Sequence, residues 1–144
     1  MIRESKGQIS MEYLLIFSVS LIIFIAFTLP LTEYTIQNTL DVSDSLDVKA
    51  DLVELSSAIS QVYSEGQGSK QTVNLDLKKS VRITVTNSYV SANVMLNDGS
   101  NKLIKVNCNS NLKSSVITLN KGKNILLVEW PVNSPNIQIS KKII

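Results

Sequence analysis

The spacing of apolar residues changes twice along this chain. From Tyr13 to Leu31 nineteen residues run with no charged side chain at all. Wound as a helix at about 1.5 Å per residue, such a run covers most of the roughly 30 Å hydrocarbon core of a bilayer. From about Tyr34 to Glu65 the apolar residues recur at helical spacing instead. Val48, Leu52, Leu55, Ile59 and Val62 are separated by 4, 3, 4 and 3 positions and fall on one stripe. A stripe of this kind must be covered, and the expected cover is the carboxy-terminal part of the same subunit. Gly66-Gln67-Gly68-Ser69 has the composition of a helix stop followed by a linker. Pro30 interrupts the first pattern. It removes one backbone donor and crowds the preceding turn, so a kink or local melting near Ala26 to Leu31 is expected; the competing reading is a helix that ends there and a second that begins after Thr32.

From Thr72 onward the period shortens to two. Val81, Ile83 and Val85 alternate with Arg82, Thr84 and Thr86, and Val90, Ala92, Val94 and Leu96 alternate with their neighbours, which suits sheets buried on one face. The segments predicted as strands are Thr72–Leu77, Val81–Thr86, Tyr89–Leu96, Lys102–Cys108, Lys113–Leu119, Ile125–Trp130 and Ile137–Ser140. Turn chemistry joins several of them: Asn87-Ser88, Asn97-Asp98-Gly99-Ser100, Asn109-Ser110-Asn111 and Asn120-Lys121-Gly122-Lys123. The fold class is therefore α+β. A long amino-terminal hydrophobic helix, kinked near Pro30, extends into an amphipathic helix packed on an antiparallel β domain, a meander or small sandwich. The β part alone is small for a core without disulfides, so the amphipathic helix is expected to complete it.

The flanks of the apolar run restrict how it meets a membrane. Arg3 and Lys6 precede it, while no Lys or Arg follows before Lys49, so the amino terminus is expected to stay cytoplasmic with everything beyond Leu31 outside. The run exceeds the h-region of a cleavable secretory signal, about 7–15 residues, and Thr28-Leu29-Pro30-Leu31-Thr32-Glu33-Tyr34 offers no small-residue cleavage site after it. A small residue, Gly7, stands before it instead. Glu12 sits at its edge. A carboxylate deep in hydrocarbon costs roughly 2.5–3.5 kcal/mol or more, so such an acid calls for a dedicated partner, here expected on another subunit.

Lys6-Gly7, followed by Gln8, Ser10, Glu12 and Tyr13 and then by the apolar run, resembles the class III signal peptide of archaeal type IV-like pilins. The resemblance covers about thirty residues and combines several requirements at fixed spacing. It implies that a membrane-bound prepilin peptidase cuts between Gly7 and Gln8. Gln8 would become the new amino terminus and Glu12 the fifth mature residue, whose carboxylate in this family pairs with the terminal amine of a neighbouring subunit's Gln8. The implied organisation is a leader over residues 1–7, a transmembrane and filament-core helix over 8–33, the amphipathic helix over 34–65 and the β domain over 66–144. The implied partners are further copies of the chain in a helical homopolymer, the peptidase, the type IV pilus assembly machinery, and the cytoplasmic membrane before assembly. The implied location is an extracellular pilus used in surface attachment. A minor pilin or tip adhesin, and a signal-anchored surface binding module that never polymerises, are the alternatives.

Composition narrows the chemistry further. There is no histidine, and no P-loop, dinucleotide turn or zinc-ligand spacing, so no enzyme activity, cofactor or metal is expected. Cys108 is the only cysteine and reads as a small buried hydrophobe on a strand. Asp41, Asp44, Asp47, Asp51 and Glu54 share one helix face, which reads as a solvated surface. An intermolecular use is also open. Residues 8–65 hold eight acids and one base, net −7, whereas residues 66–144 hold three acids and eleven bases, net +8. Neighbouring subunits would attract, although exposed pairs contribute only about 0–1 kcal/mol each and are screened by salt. The lysines raise the possibility of nucleic acid, but only Tyr89 and Trp130 are aromatic after residue 66, so a stacking platform is unsupported and no nucleic-acid partner is expected. Trp130 reads as a strand-end core residue. No Asn is followed two positions later by Ser or Thr, which makes the asparagines turn formers and not glycan acceptors.

Because the implied cut needs a small residue before Gln8, Gly7→Val should block processing. Intact mass would then show the full precursor; a normally shortened product would move the cleavage site elsewhere.

Overall fold

The computed structural model describes the backbone of residues 3–142 and the side chains of residues 10–142. One helix, α1 (Arg3–Glu65), precedes seven strands: β1 (Lys70–Leu77), β2 (Val81–Val85), β3 (Tyr89–Met95), β4 (Asn101–Asn107), β5 (Ser115–Leu119), β6 (Gly122–Glu129) and β7 (Gln138–Lys142). The chain divides into two units, Met1–Leu40 and Asp41–Ile144. The helix runs unbroken through Pro30, which excludes both local melting and a restart after Thr32. The proline still deletes the N–H that would have bonded the Ala26 carbonyl.

In the unit Asp41–Ile144 the helical stripe is buried as its spacing requires. Val48, Leu52, Leu55, Ile59 and Val62, joined by Ala58, form one core with the inward-facing residues of both sheets. The helix stops where Gly66 adopts φ +89°, a conformation open to glycine, and its N–H donates back to Val62 O at 3.1 Å. Ser69 Oγ lies 2.9 Å from Val62 O and 2.6 Å from Gly66 O, so its single proton is shared between a carbonyl of the last helical turn and the one just past it.

The strands form two antiparallel sheets, ordered β1-β6-β7 and β4-β3-β2-β5. Strands β2, β3 and β4 are a meander, and β5 returns to lie beside β2, so the four-stranded sheet is a Greek key. Its register places Ile104, Ala92, Ile83 and Ile117 opposite one another, a buried apolar row crossing all four strands. That row is why a one-residue slip is forbidden: it would turn every one of these side chains to solvent.

The strand boundaries differ from the pattern-based ones where backbone pairing extends beyond the apolar residues. β7 continues to Lys142 because Lys141 and Lys142 pair with Leu126 and Ile125, and β1 begins at Lys70, opposite Glu129. Lys70 Nζ and Glu129 Oε2 stand 3.3 Å apart. Gly122 and Lys123, expected in a turn, belong to β6, so only Asn120 and Lys121 link β5 in one sheet to β6 in the other. Asn124 holds this crossover. Its buried amide donates to Asn120 O at 2.7 Å and to Gly122 O at 2.8 Å. Cys108 is buried one residue past β4, with Sγ 3.5 Å from Ser56 Oγ. Trp130, one residue past β6, is partly buried and stacks on Tyr63 with ring centroids 5.6 Å apart.

Leu55 is fully buried at the centre of the stripe. Leu55→Ala should lower the unfolding free energy by about 2–5 kcal/mol through lost burial and a residual cavity. Denaturant melts should show a lower midpoint with an unchanged slope; an unaltered midpoint would mean that the stripe is not packed as described.

Candidate functional site

The amino-terminal site begins as a problem of unsatisfied surface. A helix apolar on one face needs one neighbour, whereas a helix apolar all round needs an apolar environment. Tyr13, Leu14, Leu15, Ile16, Phe17, Ile22 and Phe24 are all largely exposed, although they point in every direction around α1. This helix is long and apolar enough to cross a membrane, and none of its most apolar window is buried within the chain. Five of its hydroxyls are silenced locally. Ser18 donates to Leu14 O, Thr28 to Phe24 O, Thr32 to Leu29 O, Thr35 to Leu31 O and Thr39 to Thr35 O, each at 2.7–2.8 Å. A hydroxyl that bonds its own helix presents no free donor to lipid.

The residues singled out for processing and assembly lie along this helix. Lys6, Gly7 and Gln8 fall within the helical backbone, and their side chains lie outside the described residues. Ser10, Glu12 and Tyr13 are exposed, as is Pro30. Among the described residues Glu12 makes no hydrogen bond or ion pair inside the chain, and the next acid along is Glu33.

A second arrangement lies in the unit Asp41–Ile144, and it corrects the solvated reading of the acidic helix face. Asp41 Oδ1 accepts the Asn97 N–H at 2.9 Å, Asp44 pairs with Lys79 at 2.6 Å and Asp47 pairs with Lys78 at 2.5 Å. Successive carboxylates along the helix thus engage the β3–β4 loop and the β1–β2 loop. The hydrogen bond to Asp47 holds the Lys78 ammonium above its ordinary pKa. The β3–β4 loop is itself shaped by Gly99 at φ +82° and by the Asp98 carboxylate, which accepts the Ser100 N–H at 2.8 Å; hydrogen bonding from the Ser100 side chain first, and from its N–H second, holds Asp98 below the ordinary aspartate range. The adjacent Lys78-Lys79 pair was the signal in the sequence that this face has local partners, but helical spacing alone does not show it.

Between these clasped loops and the helix lies a cavity of about 460 Å³. Val48, Leu77, Val94 and Leu96 contribute apolar wall, and Asp51 and Asp76 contribute carboxylates. Asp51 forms no ion pair among the described residues. Its pKa is raised, first by burial and then by repulsion from Glu54, Asp47 and Asp76. Among the described residues no group of three or more His, Cys, Asp or Glu side chains is placed to hold a metal ion.

Comparison with known proteins adds one finding. Residues 5–31 match the model of the class III signal peptide family, a span that includes the Gly7–Gln8 step, Glu12 and the whole apolar run. No curated protein and no solved structure matches the chain. A class III signal peptide indicates a type IV pilin-like protein, and it implies processing by a prepilin peptidase and type IV pilus assembly. With the exposed apolar helix, it points to a membrane-anchored precursor.

An acid whose folded pKa is raised binds its proton more tightly in the folded state, so its ionisation lowers stability as pH rises through the interval above the ordinary aspartate value. Asp51→Asn should therefore raise Tm at neutral pH. The gain over the parent protein should shrink as pH falls through that interval and be lost below the ordinary aspartate value, where Asp51 is protonated in both states. A gain independent of pH would show that charge is not its cause.

Proposed function

We propose that this chain is a structural pilin subunit that polymerises through its amino-terminal helix into an extracellular type IV-like filament used in surface attachment. The observation that carries the reading is the class III match over residues 5–31 on a helix whose apolar surface finds no cover within the chain. Cleavage after Gly7 removes the leader on the cytoplasmic side and leaves the apolar helix in the mature subunit. Gln8 then supplies a cationic terminus and Glu12 the anionic partner, from different subunits. The same family match favours a structural role over an enzymatic one.

The bilayer already satisfies Tyr13 to Leu31, so moving the helix out of it requires neighbouring helices that pack equally well. Lipid tails are as apolar as leucine, and helix association in such surroundings rests on close packing and polar pairing. The Glu12–terminus pair supplies what packing does not: an ion pair that makes the low-dielectric core acceptable only when a second subunit is present. We place at Pro30 the bend that filament packing uses.

Amino-terminal sequencing and intact mass of material sheared from cells should give a start at Gln8 in a fibrous fraction. A start at Met1, confined to membranes, would return the signal-anchored module. Glu12→Ala should leave the subunit in the membrane and reduce filament yield severely; normal yields of normal filaments would remove the pairing from the mechanism.

A further inference from the structure

The cavity beside Asp51 combines an apolar wall with an unpaired carboxylate, the complement of an alkylammonium group. A lysine side chain has that form: a four-carbon stem that buries well and a compact charged head. The two lysines at the cavity's own rim are committed elsewhere, Lys78 to Asp47 and Lys79 to Asp44. Asp76 stands opposite Lys123 in the β1–β6 register, but neither it nor Asp51 forms an ion pair among the described residues, so the groove holds two carboxylates without a cation.

We propose that this groove docks a second copy of the chain, taking the lysines Lys141 and Lys142 at the end of its strand β7. This contact rests on the polymerisation reading above and adds a second interface to the helix-mediated one. Three observations favour β7 as the donor. Both lysines are exposed on an edge strand, and neither forms an ion pair among the described residues. The charge balance of the two halves of the mature chain, net −7 over residues 8–65 and net +8 over residues 66–144, has the matching sign.

Topology supplies the third. Leu77, beside the groove, pairs with Gly122 at the start of β6, and Lys142 pairs with Ile125 three residues further along, so the chain leaves β7 toward the end of the sheet β1-β6-β7 where the groove lies. Groove and lysines lie on its opposite edges, β1 and β7. Subunits repeated side by side at one level bring the β7 edge of each to the groove of the next. The two patches differ, so the contact is heterologous: it continues from copy to copy and does not close as a two-fold dimer. The contact is electrostatic at its rim and weakens with salt.

Zero-length carbodiimide coupling of sheared filaments, assembled from a mixture of ¹⁴N- and ¹⁵N-labelled full-length chains, tests this directly. Isotopically hybrid peptides joining Asp51 to Lys141 or Lys142 are expected. The intrachain couplings Asp47–Lys78 and Asp44–Lys79 serve as internal controls. Filaments that yield only intrachain products would overturn the groove contact while leaving polymerisation intact; material that never pellets as polymer would overturn both. A second measurement separates docking from folding. Asp51→Asn, which should raise Tm, should at the same time lower the pelletable fraction several-fold after shear at low ionic strength, where the parent's contact is least screened, and Lys141→Glu with Lys142→Glu should do likewise. Unchanged shear resistance in both variants would reject the proposal.

Discussion

An α-helix that is apolar on every side is never at rest in water, and the behaviour expected of this protein follows from that. The stretch from Tyr13 to Leu31 leaves its large side chains uncovered, and Ser18 and Thr28 bond inward to their own backbone, so the surface it offers is chiefly hydrocarbon. Such a segment has two stable surroundings, a bilayer or a bundle of its own kind. A subunit able to use both in turn needs a reason to leave the first, and hydrophobicity supplies none because the two are equally apolar. The asymmetry has to come from a polar group. Glu12 at the edge of the run is the group available, and in the function proposed above the cut after Gly7 would create the cation it lacks.

The unit from Asp41 onward solves a different problem. Two small antiparallel sheets with no disulfide have limited core volume, and the inner faces of both converge on the stripe Val48, Leu52, Leu55, Ile59 and Val62. The helix is the shared third wall of that core. Its acidic face fastens the loops at one end of the sheets: Asp41 holds the β3–β4 loop by a backbone N–H, and Asp44 and Asp47 hold the β1–β2 loop by ion pairs. Largely exposed pairs of this sort stabilise weakly, so their consequence is chiefly positional. They keep the cavity beside Asp51 open between fixed loops.

Asp51 is a partly buried acid on that face with no ion pair among the described residues. Burial and three neighbouring carboxylates oppose its ionisation. An unpaired carboxylate set in an apolar groove is a candidate for work between subunits, since a cation from a neighbour would complete it.

Periodicity was enough to show the membrane-length helix, the covered stripe, the alternation of seven strands and the helix stop at Gly66, because each depends on short-range geometry: 3.6 residues per turn, two per strand repeat, and the φ that glycine permits. The class III segment was likewise legible, since it is a contiguous motif read by residue type and spacing. Long-range pairing was not. That β5 returns to β2 while β6 crosses to a second sheet, that Asn124 pins the crossover, that Lys78 and Lys79 clasp carboxylates some thirty residues earlier, and that Asp51 stands without a cation depend on which surfaces meet in space. Alternation tells which face of a strand is buried but carries no record of its neighbour. Only the closing of two sheets and a helix on one core chooses among the partners that the local pattern leaves equivalent.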